Sequence, residues 1–210
     1  MNFSKILILS FLASAVVLAF LIVKTAPTLE EKKANVLKVE ALNQSEDSLP
    51  KLHKISSFHL TNQENKPYGT EQLKGKTWVV NFVFTRCQGP CPLITKKMKG
   101  LQDRFKGDSD LNYLSITMDS GFDKPDVLKN FGKKYHADFS RWNFLTGDQD
   151  EILSLARNIF KVPADKNPEM HTTRFILVDS ELHVRGYYNS LEEESFNKLS
   201  HDIEELKKRV

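Results

Sequence analysis

Trp78-Val79-Val80-Asn81-Phe82-Val83-Phe84, followed without a break by Thr85-Arg86-Cys87-Gln88-Gly89-Pro90-Cys91-Pro92, decides how the chain folds. Apart from Asn81, every side chain from Trp78 to Phe84 is apolar, and most are β-branched or aromatic. That composition predicts a strand covered on both faces. Gly89 and Pro90 then mark a loop, and Pro92 suits the first turn of a helix, where its missing N–H is not needed. Ile94, Met98, Leu101 and Phe105 follow at helical spacing. Both cysteines of the chain therefore stand where a buried strand hands over to a helix.

Working outward, Phe58 and Leu60 begin a short strand, and Asn62 to Gly69 reads as a polar turn. Beyond the first helix come a strand from Leu111 to Met118 and a helix from Pro125 with Val127, Leu128, Phe131 and Tyr135 on one side. Phe144-Leu145 is a short strand, and Ile152, Leu155, Ala156, Ile159 and Phe160 mark another helix. Thr173 to Val178 and His183 to Tyr188 are strands joined by the turn Asp179-Ser180-Glu181. Leu191 to Leu206 closes the chain as an amphipathic helix with Phe196, Leu199, Ile203 and Leu206 inward. Strand–helix–strand–helix followed by a hairpin and a last helix is the order of a thioredoxin-like α/β sandwich. The crossovers and the final hairpin imply a mixed central sheet, and the long middle segment inserts an extra helix.

The bulk numbers narrow the function. A length of 210 residues, 40% hydrophobic and 27% charged, suits one globular domain with an appendage. A net charge of +3, with Lys96-Lys97 and Lys207-Lys208-Arg209 short and separated, does not make a nucleic-acid stripe. A disulfide between Cys87 and Cys91 closes almost no loop and so stabilises little. Their use is chemical.

Amides at a helix amino terminus favour negative charge, so a lowered thiol pKa is expected there. Two such thiolates can form a reversible disulfide or ligate one soft ion such as Cu(I). Ordinary dithiol oxidoreductases place two residues between their cysteines. Here there are three, which widens the loop and makes room for an ion.

Asn81 to Pro92 resembles the FTxCxxxCP signature of the Sco/SenC family. Ser115-Ile116-Thr117-Met118-Asp119 with Asp123-Lys124-Pro125 is similar to a second stretch of that family. His171-Thr172-Thr173-Arg174-Phe175-Ile176-Leu177-Val178-Asp179 is similar to the segment carrying its third copper ligand. The likeness runs from about Ile55 to Leu206. It departs at Gln88, where the family usually has Pro, at Arg86 (often His), at Ser120 (Pro) and at Met170 (Asp); none of these removes a ligand.

The resemblance implies a membrane-anchored, thioredoxin-like copper metallochaperone that supports assembly of the binuclear copper centre of cytochrome c oxidase. Of the six histidines, His171 alone lies directly before a core strand in the far half of the domain, on a loop that in such a fold faces the cysteines. Position and resemblance together make Cys87, Cys91 and His171 a three-donor site for Cu(I) or Cu(II). The implied partners are a copper-accepting oxidase subunit and other copper or thiol-redox proteins. The alternative is a thiol–disulfide oxidoreductase acting on extracytoplasmic protein cysteines, with Cys87 and Cys91 as its redox pair; a peroxidase-like thiol enzyme is disfavoured. Whether the protein is an enzyme stays open at this level. Asp119 and Asp123 read either as support for the site or a partner surface, or as turn and helix-cap residues before Pro125.

Ile6 to Val23 is an uncharged apolar run; as a helix it extends roughly 27 Å, close to the hydrocarbon thickness of a bilayer. It is longer than a usual signal core, and Pro27 is a poor residue after a cleavage point, so a retained membrane anchor is expected over residues 1–24. Residues 25–51 then read as a tether and 52–210 as the domain. Lys5 before the run and Lys24, Lys32 and Lys33 after it give no clear charge bias. A lone hydrophobic segment at the start usually directs export, which places the domain outside the cytoplasm, in a bacterial periplasm or at the cell surface. A reporter fused after Val210 and active only in the cytoplasm overturns that placement.

Overall fold

In this computed structural model the described residues are 49–208 together with Glu30, Lys32 and Lys33. The expected anchor and most of the expected tether lie outside the described residues. Among the described residues no helix is long and apolar enough to cross a membrane.

In chain order the elements are β1 (His53–Lys54), β2 (His59–Asn62), β3 (Pro67–Gly69), α1 (Thr70–Leu73), β4 (Thr77–Val83) and α2 (Cys91–Arg104). Next come β5 (Leu111–Thr117), α3 (Pro125–Lys134), β6 (Trp142–Thr146) and α4 (Gln149–Ser154), the last continued by a π-helical turn over Leu155–Ile159. The chain ends with β7 (Arg174–Val178), β8 (His183–Asn189) and α5 (Glu193–Lys207). One eight-stranded sheet takes the order β1-β8-β7-β4-β5-β6-β2-β3. Strands β4, β5 and β6 run parallel, and the remaining neighbours pair antiparallel, so the sheet is mixed as expected.

Strand β4 sits at the centre because both of its faces are apolar. Successive side chains of a strand point to opposite faces. Trp78, Val80 and Phe82 enter one core with Ile116, Ile176, Ile152 of α4 and Ala156 of the π-helical turn that continues it. Val79 enters the other with Ile94, Met98 and Leu101 of α2, Leu128 of α3 and Leu199 and Ile203 of α5. The stripe read for α2 is thus buried, and α3 and α4 lie on opposite faces of the sheet.

Some expectations change. The polar turn from Asn62 to Gly69 contains β3, which pairs with β2 as a hairpin, Leu60 opposite Tyr68. The last helix starts at Glu193 rather than Leu191, whose side chain is exposed. The domain's contacts begin slightly earlier than position 52. The Arg185 guanidinium, paired with Asp179 at 2.8 Å, donates to the carbonyls of Pro50 (3.0 Å) and Leu49. Because that guanidinium is buried, it holds the incoming chain with charge-assisted bonds that water does not contest.

Candidate metal centre

The cysteine loop hangs between two rigid supports. Upstream, β4 is locked to β5 in register from Thr77↔Leu111 to Val83↔Thr117. Downstream, α2 begins at Cys91 itself, with Pro92 in its first turn and the Thr95 hydroxyl donating to the Cys91 carbonyl at 2.8 Å. Between them the Cys87 amide donates to the Phe84 carbonyl (3.3 Å) and the Ile94 amide to that of Pro90 (3.0 Å). Both cysteines are free thiols; Cys91 is buried and Cys87 half-buried. Together with Val83 and Phe84 they form a small apolar cluster at the end of the strand.

His171 arrives from the loop before β7, 80 residues away in sequence, and its Nε2 lies 3.8 Å from Cys91 Sγ. Nδ1 donates to the Thr172 carbonyl at 2.7 Å. That bond selects the tautomer and leaves the Nε2 lone pair facing the thiols. The Phe84 ring meets the imidazole edge-on, centroids 5.8 Å apart. Burial holds the His171 pKa below its ordinary value, the Thr172 bond opposing only in part, so the neutral, metal-binding form prevails.

The expected lowering of thiol pKa fails at Cys91. Burial, reinforced by a hydrogen bond with Cys87, pushes the Cys91 thiol up to about 12. With Cys91 only 1% exposed, loss of water outweighs the helix terminus. A bound cation reverses that balance: metal binding expels the thiol proton.

A cleft of about 530 Å³ opens over the loop, lined by Phe84, Arg86, Cys87, Gln88, Glu169 and His171 among others. The structure thus brings Cys91 and His171 together with Cys87 beside them. Among the described residues no three His, Cys, Asp or Glu side chains are already disposed around one point as metal ligands. The donor set still suits a soft ion, with two thiols and one neutral imidazole and no carboxylate taking part. Met170 is 65% exposed and makes no contribution to the cluster.

Two aspartates the sequence left ambiguous have clear roles. Asp123 is fully buried, and its carboxylate accepts from the Thr85 amide at 3.1 Å, the Thr85 hydroxyl and the Thr117 hydroxyl at 2.5 Å. It caps no helix, since Lys124 holds the N-cap position of α3; it pins the start of the cysteine loop to the end of β5. Asp119 accepts two bonds from Arg86, from Nε at 3.1 Å and Nη2 at 2.6 Å. The same guanidinium lies 4.3 Å above the ring of Phe122. No local pattern marks Asp123, because Thr85 is 38 residues away and Thr117 belongs to another element. Asp123→Ala strands buried donors and is expected to cost about 1–3 kcal/mol, read as a shift in the denaturation midpoint. Faster amide exchange at Thr85 should accompany it; unchanged exchange there would contradict the pinning role.

A sequence model of the SCO1/SenC family matches residues 46–208. The SCO1 protein homolog of Bacillus subtilis is 33% identical over 160 residues, 73% of this chain and 83% of that protein. Among solved structures, a SCO1/SenC family lipoprotein from Bacillus anthracis is 35% identical, with a TM-score of 0.68 over 73% of this chain and 95% of that one. BsSco, a member of the Sco family of cytochrome c oxidase assembly proteins for which a disulfide switch was identified, is 33% identical. Its TM-score is also 0.68, over 76% of this chain and 96% of that one. This chain belongs to the SCO1/SenC family.

Proposed function

We propose that this protein is a copper metallochaperone whose cargo is held by Cys87, Cys91 and His171 and passed to a copper-accepting subunit of cytochrome c oxidase outside the cytoplasm. The observation that carries the reading is the approach of His171 Nε2 to Cys91 Sγ across 80 residues of sequence, with Nδ1 already tied to a carbonyl. Two soft sulfurs and one imidazole match the preference of Cu(I) and still accommodate Cu(II). Zinc usually takes a fourth protein ligand in a structural site, and no third cysteine exists in the chain.

Holding the ion in an open cleft suits a carrier. An acceptor's donors enter from the cleft side, replace the chaperone's ligands one at a time, and take the ion without free copper appearing. The proton expelled from Cys91 on loading returns as the ion leaves.

A second reading rests on the two free thiols sharing one small cluster at the end of β4. Such a pair can give up two electrons and two protons to a target disulfide and become a disulfide itself. One protein can do both, since thiols at an acceptor copper site must be reduced before loading.

Titration of the reduced full-length protein with Cu(I) against a competing chelator tests the first reading. One ion per chain is expected. His171→Ala should weaken it by about 10- to 100-fold, because two thiolates alone still satisfy Cu(I). Failure to hold one ion, or indifference to the histidine, sinks the chaperone reading. Turnover of a disulfide substrate by such a protein would promote the second.

A further inference from the structure

A second depression lies beside the cysteine loop, on the far side of Pro92. It is a groove of about 490 Å³ lined by Pro92, Lys96 and Lys99 of α2 and by Lys134, Tyr135 and His136 at the end of α3. Pro92, Lys96 and Lys99 stand at i, i+4 and i+7, one face of a helix. No carboxylate lines the groove. Lys99 is paired with Asp103, whereas Lys96 and Lys134 have no carboxylate partner among the described residues; Lys134 Nζ rests 5.8 Å from the ring of Tyr135. A chain whose net charge is only +3 has concentrated unpaired cations next to its thiols.

His136 adds an observation from the backbone. It has φ 55, a left-handed conformation that favours glycine. Its amide and that of Ala137 close α3 by donating to the carbonyls of Lys133 and Gly132, both at 3.0 Å. Such helix ends usually carry Gly or Asn; here the strained position places an imidazole over the groove. The groove also adjoins the cysteine loop, since Pro92, which lines it, directly follows Cys91.

We infer that this groove is the docking surface for an acidic protein partner, which it steers so that the partner's own metal or thiol site meets the cysteine loop. A small anion fits the observations less well. None of the buried unpaired polar atoms lies in the groove, so nothing there is built to read a compact ligand. Exposed Leu93, next to Pro92 in the first turn of α2, supplies the apolar contact that a protein interface centres on. Opposite charge mainly accelerates encounter and fixes orientation, which suits a carrier that must release its partner after transfer. The identity of the partner as a copper acceptor rests on the chaperone reading; the groove's preference for acidic protein does not.

The test uses full-length protein in detergent, as wild type, Lys96→Glu/Lys134→Glu and Lys96→Gln/Lys134→Gln. Each is loaded with one Cu(I) and mixed with the copper-free, soluble copper-accepting domain of the oxidase. Transfer by the wild type is expected to slow by about tenfold between low and high salt. The glutamate variant should be at least about tenfold slower at low salt and the glutamine variant intermediate, with Cu(I) affinity by chelator competition unchanged in both. In a second arm, a synthetic ten-residue Asp/Glu peptide should shift the NMR signals of Lys96, Lys99 and Tyr135 in the wild type but not in the glutamate variant. Transfer insensitive to salt and to the variants overturns the inference, as does citrate binding the groove more tightly than the peptide. A wild type that holds no Cu(I) defeats the chaperone reading alone, and the peptide arm then decides the groove.

Discussion

Cys91→Ser lowers the Cu(I) affinity of the reduced protein by more than about 100-fold, beyond the range that loss of a supporting residue at a metal site produces. The exchange is nearly isosteric, and a serine hydroxyl can still donate toward His171 Nε2, which lies 3.8 Å from the sulfur it replaces. The fold therefore survives, while the donor turns from a soft thiolate into a hard alcohol that Cu(I) does not favour. Position makes this loss greater than that expected for His171→Ala. Cys91 is buried at the first position of α2, packed against Val83 and Phe84, so no other side chain can swing in to replace it. Chelator competition on the variant, with a denaturation midpoint within about 1 kcal/mol of wild type as control, checks the result. A variant that binds Cu(I) like the wild type removes Cys91 from the ligand set.

The site was legible in sequence to the extent that its chemistry is local. Cys87, Gly89, Pro90, Cys91 and Pro92 announce a strand-to-helix thiol loop by adjacency alone, and the apolar run from Trp78 to Phe84 announces the strand that delivers it. His171 needed the family likeness as well, because nothing near it in sequence says which loop it faces. What depends on packing between distant segments was not legible. The helix terminus predicts an acidic thiol, yet the cluster of Val83, Phe84 and Cys91 removes water and wins. Asp123 read either as support for the site or as a turn or helix-cap residue before Pro125, and only its partners Thr85 and Thr117, from two other elements, decide between them. Two-residue β1 and three-residue β3 carry too few side chains for a period-two pattern, and each exists through its pairing with β8 or β2. The groove behind Pro92 needs the end of α3 beside one face of α2, and its lysines read singly as ordinary surface charge.

Trp78→Ala carries the largest expected cost to the fold, about 3–5 kcal/mol, the range for emptying a buried aromatic site. Trp78 is completely buried, its indole N–H donates to the Leu73 carbonyl at 2.9 Å, and its ring meets Phe58 edge-on at 6.4 Å. Phe58 touches Phe160, and Phe160 touches Phe82, at 6.0 and 5.8 Å between centroids. The four rings thus brace β4 from its start to the turn where the cysteines begin. Truncating the first leaves a void walled by rigid aromatics, which relax little into it. For a chain of this size the melting temperature should fall by about 10 °C, and Trp78→Phe, which keeps a ring but loses the N–H, should fall by clearly less. Cu(I) affinity of the folded protein should stay within about threefold of wild type. Cys91 and His171 lie beyond the other end of β4, roughly 20 Å away along an extended strand, with no shared partner, and effects at such separations are nearly independent. A large loss of affinity alongside the lost stability would mean that the strand transmits strain to the loop, and that the site is not set by its own hydrogen bonds at Asp123, Thr95 and Thr172.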